Sequence, residues 1–298
     1  MRRRRTGTRL ISGLAEVSAR YDALFCDLWG CVHDGVAPFA AAVAALQAFR
    51  AQGGAVVLVT NAPRPRPDVM RQLARIGVPG DAWDAIATSG DAAQWAMATG
   101  AVGRKVWHIG APKDLTFFTE LAEDIPPATV DLVPLEAAEG IVCTGLADDL
   151  TETPEDYRAR LMIAAQNRLP MLCANPDIVV DWGGRRLWCA GALAQMYEEM
   201  GGTALYFGKP HPPIYDLARR RLAALGRDVP EDRILCVGDG IGTDVLGAAG
   251  EALDCLFVTG GLAADAFGPD AARPDAGLLD AWLQAQQAAP RWSIGHLR

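Results

Sequence analysis

Two short apolar runs with a helical stretch between them constrain this chain more than any other feature. ALFCDLW begins at Ala23 and AVVLVTN at Ala55. Both have the length of a strand, and their apolar residues do not alternate with polar ones, as expected of a strand covered on both faces. Between them, PFAAAVAALQAFRAQGG opens on Pro38 and closes on Gly53 and Gly54, the punctuation of a helix. RPDVMRQLARIG predicts a second helix. This β-α-β-α start implies a parallel sheet with right-handed crossovers.

The last third resumes the pattern. TALYFG, RILCVGD and DCLFVTG read as strands, PPIYDLARRRLAALG and GTDVLGAAGEA as helices, and DAGLLDAWLQAQQ as a surface helix. The middle carries elements of its own. KVWHIG and GIVCTG read as strands, and SGDAAQWAMATG, DLTFFTELAED and PEDYRARLMIAAQNRL as helices. The expected fold is therefore α/β, a doubly wound parallel-sheet core from residues 1–81 and 188–298 with a separate α/β domain, 82–187, inserted into it.

At 298 residues and a net charge of −8, the chain has no electrostatic claim on nucleic acid. That charge leaves room for an anionic substrate, because the local charge of a cleft decides that binding. The seven cysteines are scattered without a C-x-x-C pair and read as buried reduced thiols of a cytoplasmic protein. Cys26, Cys31 and His33 can be imagined around a metal, but no second ligand pair follows them. MRRRRTGTRLISGLAEVSARY lacks the apolar core of a signal peptide and reads as a solvated basic tail. No apolar run reaches the ~18 residues of a membrane span, so no membrane partner is expected. Association into a homo-oligomer is left open.

In an open parallel sheet, ligands bind outside the carboxyl ends of the strands. Asp27 ends the first strand and Thr60–Asn61 the second, Lys209 follows TALYFG, and Asp239 ends RILCVG with Asp244 five residues on. Singly, each has an ordinary reading: a turn aspartate, a solvated lysine, a carboxylate in the first turn of a helix. Together they suit one task. Asp27, Asp239 and Asp244 offer hard oxygens to Mg²⁺. Lys209 and the donors at Thr60 and Asn61 can meet the charge of a phosphate. Asp27 can act as a nucleophile and form an aspartyl-phosphate. A dinucleotide fingerprint fits worse, since G-x-G-x-x-G from Gly238 needs glycine where Thr243 stands.

DLWG at 27–30, VTNAPR at 59–64, FGKPHPPIYD at 207–216 and VGDGIGTDVLGA at 237–248 resemble the four ordered motifs of the haloacid dehalogenase superfamily. ATSGDA at 87–92 and CANPD at 173–177 flank or belong to an insertion between the second and third motifs. This is similar to the class IIA (NagD-like) branch with its C2 cap. The resemblance runs from about residue 20 to 262 and implies a Rossmann-like core and a Mg²⁺-dependent phosphatase of a small phosphorylated metabolite, such as a sugar phosphate or nucleotide. It makes Asp27 the nucleophile and a metal ligand, with Asp239 and the Trp29 backbone carbonyl as further ligands. Asp244 becomes a metal-site carboxylate that also orients Lys209. Thr60 and Asn61 take the transferring phosphoryl group, and the cap closes over the site and selects the substrate. Trp107, His108 and Tyr157 are candidates for lining the cap's pocket.

One position departs from the pattern. The family usually has aspartate where this chain has Trp29, and that side chain protonates the leaving oxygen and later activates water. Tryptophan keeps the carbonyl and loses the proton transfer, which typically contributes ~10²–10⁴-fold. Three readings follow. His33 or Asp34, just past Gly30, substitutes as the acid; or the natural leaving group needs no acid; or the protein is a non-catalytic or very weakly active homologue that binds a phosphorylated ligand.

Overall fold

The computed structural model describes residues 7–122, 125–127, 129–182 and 185–298. In chain order come β1 (Arg9–Leu10), β2 (Ala23–Cys26), α1 (Ala40–Ala51), β3 (Ala55–Thr60), α2 (Arg66–Ile76), β4 (Ala85–Thr88) and α3 (Ser89–Ala98). Next are β5 (Lys105–Ile109), α4 (Thr116–Thr119), β6 (Asp131–Leu132), β7 (Gly140–Cys143), α5 (Arg158–Gln166) and β8 (Pro170–Cys173). The hairpin of β9 (Val179–Trp182) and β10 (Arg185–Trp188) precedes α6 (Ala190–Glu199), β11 (Thr203–Tyr206) and α7 (Pro212–Ala224). The chain finishes with β12 (Ile234–Gly238), α8 (Leu246–Gly250), β13 (Asp254–Val258), α9 (Ala276–Ala285) and β14 (Trp292–Ile294).

The chain forms two compact units. One comprises Met1–Val59, Ala74–Ile86 and Ala218–Arg298, the other Thr60–Leu73 and Ala87–Leu217. Of the 82–187 span, residues 82–86 fall in the first unit and the rest in the second.

In the first, the sheet order is β1-β14-β13-β12-β2-β3-β4. The pairings β2·β3, β2·β12, β12·β13, β13·β14 and β1·β14 are all parallel. Every residue of β2, β3 and β12 is buried, which accounts for their unalternating apolar sequences. Helix α1 turns Ala42, Val43, Leu46 and Phe49 inward, the spacing of one helical face. Helix α9 starts at Asp275, whose side chain accepts the Leu278 N–H, a standard N-cap.

The second unit has its own five-stranded sheet, β11-β8-β7-β5-β6, parallel at every pairing. Neighbouring residues along each strand feed opposite faces. Ile141, Cys143, Met171 and Cys173 pack with Leu161, Leu193, Tyr157 and Tyr197 on one face. Val106, Val142 and Leu172 pack with Ala93, Met97 and Phe117 on the other. The TALYFG strand, β11, pairs here with β8.

Besides the placement of TALYFG in the second sheet rather than the core's, two details differ from expectation. The basic N-terminal stretch is not a solvated tail from residue 7 onward. Arg9–Leu10 pairs with β14, and Ile11, Leu14, Val17 and Tyr21 are buried; their apolar side chains outweigh the flanking arginines. The helix read in DLTFFTELAED shrinks to a 3₁₀ turn, Pro112–Leu115, and the four residues of α4; its last two residues lie outside the described ones.

Ile141 is wholly buried in the middle strand of the second sheet. Ile141→Ala is expected to lower stability by about 2–5 kcal/mol, measured by urea unfolding at pH 7.

Candidate active site

Strands β2 and β12 run side by side with Cys26 opposite Val237. The Asp27 N–H carries the ladder one step further by donating to the Val237 carbonyl at 2.8 Å. Asp27 and Asp239 therefore emerge at adjacent strand ends, only 9% and 5% exposed. Together with Cys31 they place one potential ligand atom each within 4.8 Å of one another. Two carboxylates so close and so shielded from water repel, and a shared cation relieves that repulsion.

Local structure holds this arrangement. The Leu262 N–H donates to Asp239 Oδ2 at 2.9 Å. Two glycines keep space around the same carboxylate: a Cβ at Gly30 would stand 2.1 Å from Asp239 Oδ2, and one at Gly261 1.9 Å from it. Gly30 also adopts φ +70°, a left-handed conformation that favours glycine. Asp244 is buried too, and its Oδ2 accepts from the Gly240 N–H at 3.1 Å and the Thr243 hydroxyl at 3.3 Å.

Burial, then the charges of Asp239 and Asp27, push the Cys31 thiol well above its usual range. It stays protonated beside two hard oxygens. This donor set fits a hard divalent ion such as Mg²⁺ better than zinc. Among the described residues, Asp27–Cys31–Asp239 is the grouping that meets, rather than Cys26–Cys31–His33.

The segment after Trp29 folds into a small flap. Its backbone ties run from the Val32 N–H to Leu28 O (2.8 Å), the Gly30 N–H to His33 O (3.0 Å) and the Phe39 N–H to Val32 O (2.8 Å). The partly buried Trp29 ring meets His33 edge-on, with centroids 5.0 Å apart and planes at 72°. His33 is 1% exposed. Its Nδ1 accepts the Gly35 N–H at 3.0 Å, which assigns the neutral ring's proton to Nε2. Burial pushes its pKa down to about 4. The Asp34 Oδ1 accepts the N–H groups of Ala37 (2.8 Å) and Val36 (2.9 Å), and these bonds hold its carboxyl below the usual range. At neutral pH the flap thus contains a neutral imidazole and an ionised carboxylate, and neither is a ready proton donor.

Thr60, Asn61 and Lys209 fall in the second unit and are 1%, 2% and 3% exposed. Lys105, Lys113 and Lys209 are the chain's lysines, and the first two are exposed. The Thr60 hydroxyl accepts the Ala62 N–H at 3.2 Å. The Asn61 amide bonds to the main chain of Lys209 and to Asp177. Asp177 is a partner that the sequence motifs do not single out; its signal is the Asn-Pro-Asp just beyond the buried strand β8.

The aromatic candidates for a cap pocket have other engagements. Tyr157 lies in the second unit's core, where its hydroxyl donates to Glu152 at 2.6 Å and accepts from the Ala147 N–H at 2.8 Å. Trp107 packs against that core beneath the Arg160 guanidinium, 5.5 Å from the ring centroid. His108 Nε2 lies 2.9 Å from the Thr144 hydroxyl, and burial pushes its pKa down to about 4.

Comparison with known proteins identifies the family. Residues 24–122 match the haloacid dehalogenase-like hydrolase family, and residues 206–283 a second hydrolase family of the same kind. A haloacid dehalogenase-like hydrolase from Brucella suis is 43% identical, with 97% of this chain and all of that one covered and a TM-score of 0.84. The chain therefore belongs to the haloacid dehalogenase-like hydrolases. More distant solved structures share the fold. One, from Cytophaga hutchinsonii, is described as a possible sugar phosphatase (18% identity, 98% of this chain and 100% of that one, TM-score 0.76). Another is a glycerol phosphate phosphatase from Mycobacterium tuberculosis in complex with magnesium (23% identity, 85% and 73% covered, TM-score 0.63). No curated protein sequence matches the chain.

The buried histidine makes stability depend on pH. Unfolded His33 takes up a proton below its ordinary value of 6.5, whereas the folded ring stays neutral down to about 4. Its contribution is complete above about pH 6.5 and is lost as pH falls toward 4, up to about 3 kcal/mol in all. Urea unfolding at pH 7 and pH 4.5 should show His33→Gln losing less stability on acidification than wild type, with the His108 share remaining in both.

Proposed function

We propose that this hydrolase is a Mg²⁺-dependent phosphatase that transfers the phosphoryl group of a small phosphorylated metabolite to Asp27 and then to water. The observation that carries the reading is the buried Asp27–Asp239 pair at adjacent strand ends, with ligand atoms within 4.8 Å. The resemblance assigns Asp27, Asp239, the Trp29 carbonyl and Asp244 to the ion, which when bound would supply neutralisation of phosphoryl charge. An Asp27 oxygen attacks phosphorus, an O–P bond forms, and the bond to the leaving oxygen breaks. Water then attacks the same phosphorus and releases the Asp27 carboxylate with inorganic phosphate. The resemblance assigns Thr60, Asn61 and Lys209 to the charge of the transferring group. The solved relatives named as phosphatases support the class of reaction. The burial of all seven cysteines is in keeping with a reducing, cytoplasmic setting.

Trp29, neutral His33 and ionised Asp34 leave the leaving oxygen without a side-chain acid in the flap. The preferred substrate is then one whose leaving group departs as a stable anion. The same observation favours a second reading, a protein that binds a phosphorylated ligand without turning it over.

A screen of sugar phosphates, nucleotides, phosphoglycolate, pyridoxal phosphate and an aryl phosphate, with and without Mg²⁺, tests the proposal. Turnover should need the metal and vanish in Asp27→Asn. Trp29→Asp should raise turnover of alkyl phosphates by up to ~10²–10⁴-fold and change aryl phosphates far less. Equal gains on both classes contradict the missing-acid account. Binding of phosphorylated ligands with no Mg²⁺-dependent turnover of any of them establishes the binding reading instead.

A further inference from the structure

We infer that Asn61 and Asp177 are positioning residues that hold Lys209 by its main chain, and that the Asn61 side chain does not touch substrate. A primary amide has two N–H donors and one carbonyl acceptor. Asn61 Oδ1 accepts the Lys209 N–H at 2.7 Å. Its Nδ2 donates to the Lys209 carbonyl at 3.1 Å and to Asp177 Oδ1 at 2.8 Å. Both donors are spent inside the protein, at a residue only 2% exposed. No side-chain N–H is left for a phosphoryl oxygen.

The pattern is specific to the root of Lys209. Bonds to both the N–H and the C=O of one residue reproduce the exchange between paired residues of antiparallel strands. They fix the peptide planes on either side of the Lys209 Cα, and so the direction in which its side chain leaves the backbone. A lysine side chain is flexible along four carbons, so fixing its root removes much of the freedom its ammonium would otherwise have.

Three loops meet to make this possible. The loop after β3 is tied to the start of α3 by the Gly90 N–H, which donates to Ala62 O at 3.0 Å. The loop after β8 is tied to the start of α6 by the Gly191 N–H, which donates to Asp177 O at 3.1 Å. Asp177 is further set by its own N–H, which donates to Asn175 Oδ1 at 3.0 Å. The loop after β11 closes against both at Gly208. A Cβ there would stand 2.4 Å from Asn61 Oδ1, 2.7 Å from Pro176 Cδ and 2.7 Å from Ser89 Oγ. The Ser89 hydroxyl is buried and makes no hydrogen bond, so this side of the clasp relies on close packing alone.

The test has an arm that needs no activity, because only its kinetic half rests on the proposed role of Lys209. Wild type, Asn61→Ala, Asp177→Ala and Asp177→Asn are treated with the N-hydroxysuccinimide ester of acetate, and acetylation of the three lysines is followed by mass spectrometry. Asn61→Ala should speed acetylation of Lys209 by about tenfold or more, the effect of removing hydrogen bonds of ordinary strength, with Lys105 and Lys113 unchanged. Asp177→Asn keeps an acceptor for the amide and should stay near wild type, while Asp177→Ala should not. Circular dichroism and the melting temperature identify any variant that has failed to fold, and the Asp177 pair still decides the question if Asn61→Ala is one of these. Unchanged Lys209 protection in a folded Asn61→Ala, or equal effects of the two Asp177 variants, would overturn the inference. With a substrate in hand, Asn61→Ala should lower kcat/KM by about 10–10²-fold, yet change it little in a Lys209→Met background. Additive losses would mean that Asn61 acts on substrate directly. If wild type turns over no phosphate ester, the phosphatase proposal fails while the acetylation result still judges the clasp.

Discussion

The pairing of β2 with β12 is the constraint on which the rest of the candidate site depends. It is a parallel pairing of wholly buried strands, and it delivers two carboxylates to neighbouring ends at almost no exposure. Such a juxtaposition is unfavourable by itself, since each charge loses water and faces its like. The fold accommodates it with a backbone donor from Leu262 and with glycines where any side chain would collide with Asp239. A divalent ion bound between them would supply what these local devices lack. In this sense the apolar strands matter to the chemistry as much as the acidic residues, because they decide where Asp27 and Asp239 end up.

The flap shows the opposite balance. Trp29 and His33 pack ring against ring, Asp34 caps its own turn, and the His33 Nδ1 is occupied by a backbone N–H. Side chains that looked like substitutes for a missing acid are engaged in holding the flap's shape. A phosphatase built this way depends on its leaving group more than one with the usual aspartate, because nothing in the flap lends a proton at neutral pH.

How much of this was legible in the sequence depends on the range of the interaction involved. Unbroken apolar runs ending in Asp27 and Asp239 could be read directly, because strand length, burial on both faces and the rule for ligands at carboxyl ends are local or general. The order of the four motifs was legible through the resemblance to a known family, and the α/β segment between the second and third through its own strand and helix patterns. The sheet that β11 joins could not, since TALYFG contains nothing that names β8 as its neighbour. Nor could the ordered start of the chain, where Arg9–Leu10 finds β14 some 280 residues on. The protonation of His33 and the destination of the Asn61 amide were hidden for the same reason. Both follow from tertiary contacts: burial within the flap in one case, and a meeting of three distant loops in the other.

The central claim is that Asp27 carries the phosphoryl group. Acid quenching of the enzyme during Mg²⁺-supported turnover of an aryl phosphate, followed by borohydride reduction and peptide mass spectrometry, tests it directly. Reduction of an acyl phosphate turns the aspartate into homoserine. The account predicts homoserine at position 27 and at no other aspartate, dependent on both substrate and metal. Turnover without any such product, or with the product at another aspartate, would contradict it.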